Sequence, residues 1–150
     1  MFNKKDFDRI RKQLVDYTKK REEIIITSRD ILRFSKIAIS CIHRHDLEGA
    51  EQHIKNSEKL IKKIKPMATL DAKLAVIGAY TVAVQEYVEA KTFLHFVKAK
   101  RLLDMESMGV EPEDYLIGLS DLTGELSRRA VLNTISRNYP DVHIVRDFVA

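Results

Sequence analysis

From Phe7 to Ile42, core-type residues recur at alternating steps of three and four: Phe7, Ile10, Leu14, Tyr17, Arg21, Ile24, Ser28, Ile31, Ser35, Ala38 and Ile42. That spacing places them on one stripe of an α-helix and on opposite faces of a strand, so the first quarter of the chain predicts one long helix. Ile25, Leu32 and Ile39 widen the stripe in its second half, as expected where more than one helix packs against it. Only five Gly and three Pro occur in 150 residues, which favours long helices throughout. The expected fold is all-α: a single helical bundle domain over residues 1–150, with about five helices and antiparallel neighbours.

The remaining boundaries follow from punctuation. Leu47, Ala50, Ile54, Ser57, Ile61 and Ile64 mark a second helix, which Pro66 is expected to stop. A third is expected from Thr69 or Leu70 to about Asp104, its middle (Leu74 to Val84) apolar on nearly every side, as in a central helix. Ser107 to Pro112 reads as a loop, with Pro112 suited to the first turn of a fourth helix. There Leu116, Leu119, Leu122 and Leu126 form the expected packing side, while Gly118 and Gly124 are weak helix positions that suggest close approach of another group. Asn138 to Asp141 should break that helix, and a fifth element begins at Val142.

The formal net charge of +4 permits an anionic partner without requiring one. Cys41 is the only cysteine, which excludes an intramolecular disulfide and a cysteine-rich metal site and fits a reducing compartment. No apolar run approaches the roughly 20 residues needed to cross a bilayer, and Met1 to Asp6 lacks the apolar centre of a signal peptide. A cytoplasmic protein without membrane attachment is expected.

The chemistry concentrates in two acidic pairs. Ala79, Val82, Glu86, Glu89, Phe93 and Phe96 form one stripe of the third helix, so Glu86 and Glu89 stand where hydrocarbon is expected. A buried charge without a partner is costly enough that it neutralises, pairs or binds metal. Asp121 and Glu125 lie one turn apart on the fourth helix. If the pairs face each other, four carboxylates suit a hard divalent cation, magnesium or manganese, and metal-assisted hydrolysis of a phosphodiester follows. Phosphate-cradling glycine loops and serine-hydrolase motifs are missing. The Glu-x-x-His signature of a di-iron bundle is missing too, because Glu89 is followed three residues later by Thr92. The alternative is a nucleic-acid-binding bundle without chemistry.

Candidate phosphate contacts are Arg33 and Lys36, on a basic stripe with Arg29, and Lys98, Lys100 and Arg101 near the carboxylate helix. The mixed charges of the first helix's first half, and Lys55, Lys59, Lys62, Lys63 and Lys65 of the second, read as solvated faces. His43 and His45 are spaced i, i+2 and point to different sides of a helix, so they read as helix-end and turn residues rather than metal ligands.

The segments Ala83-Val84-Gln85-Glu86-Tyr87-Val88-Glu89-Ala90 and Asp114-Tyr115-Leu116-Ile117-Gly118-Leu119-Ser120-Asp121-Leu122-Thr123-Gly124-Glu125-Leu126 resemble the translin family, specifically its translin-associated factor X branch, and Ser28-Arg29-Asp30-Ile31 and Ile42-His43-Arg44 match more weakly in the same order. The resemblance implies a helical subunit that assembles into a closed homo-oligomer, and magnesium-dependent endoribonuclease activity on single-stranded RNA inside the shell. The branch's catalytic acids carry over as Glu86, Glu89, Asp121 and Glu125. Their retention places the chain with the nuclease branch, as a prokaryotic, archaeal-type homologue. The translin branch is the non-catalytic binder of single-stranded RNA or DNA. Family members continue into further helix beyond the region matching Val142 to Ala150, so a C-terminal helix is expected to be lacking here.

Overall fold

In the computed structural model, described for residues 3–70, 72–75 and 77–149, the helical stripes become α1 (Lys4–His43), α2 (Leu47–Leu70), α3 (Ala72–Ala75), α4 (Gly78–Ala99), α5 (Met105–Met108), α6 (Pro112–Ile135) and α7 (Tyr139–Val149). No strand occurs among the described residues, and five of the seven helices are long, as expected. Asn3 caps α1 by accepting a hydrogen bond from the Lys5 amide at 3.1 Å. At about 60 Å, from 1.5 Å per residue, α1 outruns the rest of the bundle. Its second half packs against α2 and α4, whereas Phe7, Ile10 and Leu14 on its first half are exposed. α4 also packs on α6, and α6 on α7.

The core lies where the second half of α1, α2, α4 and α6 meet, around Ile31, Ile42, Ile64, Val88, Phe93, Phe96, Leu122 and Leu126. Small polar residues bring α1 and α2 close: Ser35 Oγ and Ser57 Oγ lie 3.2 Å apart in the interior, and Ser57 Oγ donates to the Ile31 carbonyl at 3.3 Å. On the far side of α4, the Glu58 carboxylate accepts from Tyr87 Oη at 3.0 Å and Lys91 Nζ at 2.7 Å. The turn into α2 passes through His45 in the left-handed region (φ 63), and Asp46 Oδ1 accepts from the Gly49 amide at 2.9 Å.

Several boundaries differ from expectation. Pro66 does not stop α2, which continues to Leu70. The residue is exposed, so the carbonyl that loses its helical partner can turn to water, while the next turn is held by burial of Ala68 against Ile24, Leu74 and Ile77. The third helix is in turn interrupted. Ile77 is extended (φ −75, ψ 100), and α4 starts only at Gly78; the break lets Leu74 and Ile77 both reach Ile24. Asp71 and Val76, within the expected helix and its apolar middle, lie outside the described residues. α4 ends at Ala99, earlier than expected, because Lys100 adopts the left-handed conformation (φ 57) and returns its amide to the Phe96 carbonyl.

The predicted loop contains the single turn α5, closed by Gly109 at φ 62, and Pro112 opens α6 as expected. Leu122 and Leu126 are buried on the packing side of α6, but Leu116 is 64% exposed. The break after α6 falls at Ser136–Asn138, with Arg137 at φ 61, so α7 begins at Tyr139 and accommodates Pro140 in its first turn. α7 is held by Val145 and by Phe148, whose ring lies 4.7 Å from that of Phe96. Among the described residues no helix is long and apolar enough to cross a membrane.

Candidate metal and RNA site

α4 and α6 are in close contact at Gly118. A Cβ there would lie 2.7 Å from Val88 Cβ and 2.8 Å from the Gln85 carbonyl oxygen, so the contact admits only glycine without movement. Gln85 Nε2 donates to Asp114 Oδ1 at 3.0 Å across the same interface. This juxtaposition brings the acidic turn of α4 towards that of α6, so that Glu86 and Glu89 both feel the charges of Asp121 and Glu125. Glu89 is buried, at 6% exposure, and its carboxyl is pushed up to about 8, first by burial and then by the charges of Glu86, Glu125 and Asp121. Burial also raises Glu86; the Lys36 ammonium opposes this, and Asp121 and Glu125 add to it.

Among the described residues, neither Glu86 nor Glu89 has a hydrogen-bond or ion-pair partner, and Asp121 is exposed without one. The stripe containing Glu86 and Glu89 is not wholly interior: Ala79 is exposed and Val82 is 50% exposed, whereas Glu89, Phe93 and Phe96 are buried. It descends from the surface into the core, with the glutamates at the waterline.

α1 supplies the rest of the site. Lys36 lies on its exposed side within electrostatic reach of Glu86 and Glu89. Two turns further on, His43 is buried against the Phe93 ring (centroids 5.1 Å apart), and its Nε2 hydrogen-bonds to Glu125 Oε2. Read from spacing alone, His43 is a helix-end residue; the structure makes it part of the acidic cluster. Two signals pointed to it: it shares the Lys36 face at i+7, and it lies in the short Ile42-His43-Arg44 segment. His45, in the left-handed turn, is exposed.

The remaining predicted cations stand elsewhere. Arg33 pairs with Asp30 at 3.1 Å and lies over the Phe34 ring at 4.5 Å. Lys98 pairs with Glu51, and Lys100 with Asp141 at 2.9 Å. Arg101 is exposed. Lys98 is about 14 Å along the α4 axis from Glu89 at 1.5 Å per residue, so only Lys36 of the five joins the carboxylates.

Four carboxylates, one of them buried and unpartnered, are a donor set for a hard divalent cation. As the side chains are placed, no three His, Cys, Asp or Glu groups among the described residues stand close enough together to form a coordination shell. Coordination therefore requires other side-chain rotamers, and the partner-free states of Glu86, Glu89 and Asp121 leave them available.

The sequence and the fold resemble those of known proteins. The chain is 28% identical over 153 aligned positions to translin-associated protein X of Mus musculus, covering 75% of this chain and 52% of that protein. To the translin-associated protein X homolog of Schizosaccharomyces pombe it is 33% identical, covering 76% and 55%. An uncharacterized protein of Methanocaldococcus jannaschii is 29% identical, covering 79% and 52%. The chain thus spans about half the length of the curated relatives it matches. Among solved structures, apo-NeC3PO superposes with a TM-score of 0.88 at 23% identity, covering 98% of this chain and 77% of that one, a likeness of fold. The AfC3PO–duplex RNA complex superposes at 0.84 and 26% identity, covering 95% and 73%. The translin family sequence model matches residues 19–149. With all but its first turns matched, and with helices that superpose on those of such structures, the chain belongs to the translin family.

Proposed function

We propose that the chain is a divalent-cation-dependent endoribonuclease that cleaves single-stranded RNA within a homo-oligomeric shell. The observation that carries this reading is that Glu86 and Glu89 on α4 lie within electrostatic reach of Asp121 and Glu125 on α6, with Glu89 buried and unpartnered among the described residues. Similarity to translin-associated protein X, and to a structure described as a duplex RNA complex, supports the RNA part of this reading.

The four acids would hold the cation. When bound, magnesium or manganese supplies charge neutralisation at the scissile phosphate and a Lewis acid for the attacking water. The chain's own groups do the rest. Glu89 or Asp121 accepts a proton from water, and Lys36, exposed beside them, meets a phosphate oxygen and aligns the strand. Arg33, Lys98, Lys100 and Arg101 extend the phosphate track away from the reaction centre. Exposed apolar residues on the first half of α1 (Ile10, Leu14) and at the end of α6 (Val131, Ile135) supply surface for self-association.

The test is cleavage of labelled single-stranded RNA with magnesium and with chelator, comparing the unaltered chain with Glu89→Ala. Cleavage that needs magnesium and disappears in the variant is the expected result; unchanged cleavage in Glu89→Ala refutes the assignment. The second reading, a binding oligomer without chemistry, is favoured by the absence of a ready-made coordination shell among the described residues. It prevails if both proteins retain RNA and neither cuts it.

A further inference from the structure

Of the four carboxylates, Glu125 alone is anchored by a second helix, and the anchor is buried. The His43 side chain is 6% exposed and that of Glu125 22% exposed. His43 Nε2 meets Glu125 Oε2, while Nδ1 is buried with no hydrogen-bond partner among the described residues. A buried imidazole with one partnered nitrogen loses least when that nitrogen carries the proton and donates it, because the other is then an unpaired acceptor rather than an unpaired N–H. The Phe93 ring fixes the imidazole plane from the side, with centroids 5.1 Å apart. The remaining contact of Glu125 is the exposed Arg128 on its own helix, at 3.6 Å.

We propose that His43 is the positioning residue of the acidic cluster. By donating Nε2–H to Glu125 Oε2, it sets the rotamer of one carboxylate before any cation arrives and leaves Oε1 to face the cation. Glu86, Glu89 and Asp121, which have no such partner, would supply the other oxygen donors. The bond also couples the end of α1 to α6, so that the site is built from three helices rather than two. This inference rests on the metal-dependent reading above.

The test measures manganese binding directly, by electron paramagnetic resonance of free Mn²⁺ during titration of the whole chain without RNA. His43→Ala is expected to weaken binding about tenfold, as loss of a ligand-orienting hydrogen bond typically does. His43→Gln, whose amide N–H reaches the position of Nε2, restores most of it. Glu125→Gln weakens binding at least as much, and His43→Ala added to Glu125→Gln costs nothing further, because the two act through one contact. If His43→Ala does not fold, His43→Phe, which fills the space beside Phe93 without a donor, takes its place. Wild-type affinity in His43→Ala or His43→Phe, or equal weakness in His43→Gln, overturns the proposal while leaving the metal site standing. Failure of the unaltered chain to bind Mn²⁺ overturns the metal reading itself, and this inference with it.

Discussion

Gly118 on α6 lies directly against Val88 on α4, with no room for a side chain between them. The contact sits between the acidic turns of both helices and sets their separation. Gly118→Ala has two opposed effects: a gain of about 1 kcal/mol in helix propensity, and a clash with the side chain of a fully buried valine and with the Gln85 carbonyl. Overpacking a well-filled core costs about 1–3 kcal/mol, and a helix backbone cannot step aside, so the clash wins. The expected outcome is a net loss of stability in urea unfolding and weaker Mn²⁺ binding.

Gly124, on the same helix, provides the control. Nothing lies within 4 Å of the position its Cβ would occupy, and its backbone is helical. Gly124→Ala should raise stability by about 0.5–1 kcal/mol without altering RNA cleavage. A loss at Gly124 would mean that an oligomer interface covers this position.

Glu89 predicts the pH dependence. Its ordinary value is 4.5, and the folded carboxyl titrates at about 8, chiefly because it is buried. Below pH 4.5 both folded and unfolded chains hold the proton, and stability is undiminished. As pH rises from there to about 8 the unfolded chain gives up its proton first, so stability falls through that window. Glu86, raised in the same direction, adds to the fall. Denaturant unfolding in chelator at pH 5 and pH 8 should show this loss, and Glu89→Gln should reduce it. An equal loss in the variant would place its origin elsewhere.

Asp141 governs the docking of α7. Its carboxylate accepts from Arg129 at 3.0 Å and pairs with Lys100 at 2.9 Å, and the Arg129 side chain is 7% exposed. Burial works against the charge, yet the hydrogen bonds from Lys100 and Arg129 outweigh it and hold Asp141 below its ordinary value. The contribution is therefore present above about pH 3.8 and lost as pH falls through the folded value. Asp141→Ala leaves a buried guanidinium uncompensated and should cost about 3 kcal/mol, the lower end for a broken buried pair. Hydrogen exchange should show α7 opening first.

Lys36 and Lys98 separate the two kinds of predicted cation. Lys36 stands beside the carboxylates, whereas Lys98 is engaged by Glu51. Lys36→Ala should weaken RNA binding and lower the slope of log affinity against log salt by about 0.7, the value for one phosphate contact to a single strand. Lys98→Ala should change both less. Equal effects would place the strand along α4 rather than across the acidic cluster.

Helix period and the scarcity of breakers in the sequence were sufficient to specify the all-α bundle, its long first helix and the start of α6 at Pro112. Glu86 and Glu89 stand out in the sequence because a carboxylate on an apolar stripe contradicts its surroundings whatever the partner helix is, and Glu89 is buried in the structure. Spacing carries no information about which faces meet. Whether α4 and α6 would touch was decided by Gly118 against Val88, and whether Pro66 would end α2 by burial of Ala68 in a cluster that draws on α1 and Leu74. The position of His43 also belongs to tertiary structure: its partner, Glu125, lies 82 residues away in the chain, and an i, i+2 comparison with His45 could not reveal it. Local periodicity reports what each helix must bury. Only the packed bundle determines what each buried group meets, because long-range contacts depend on how several helices fill one volume together.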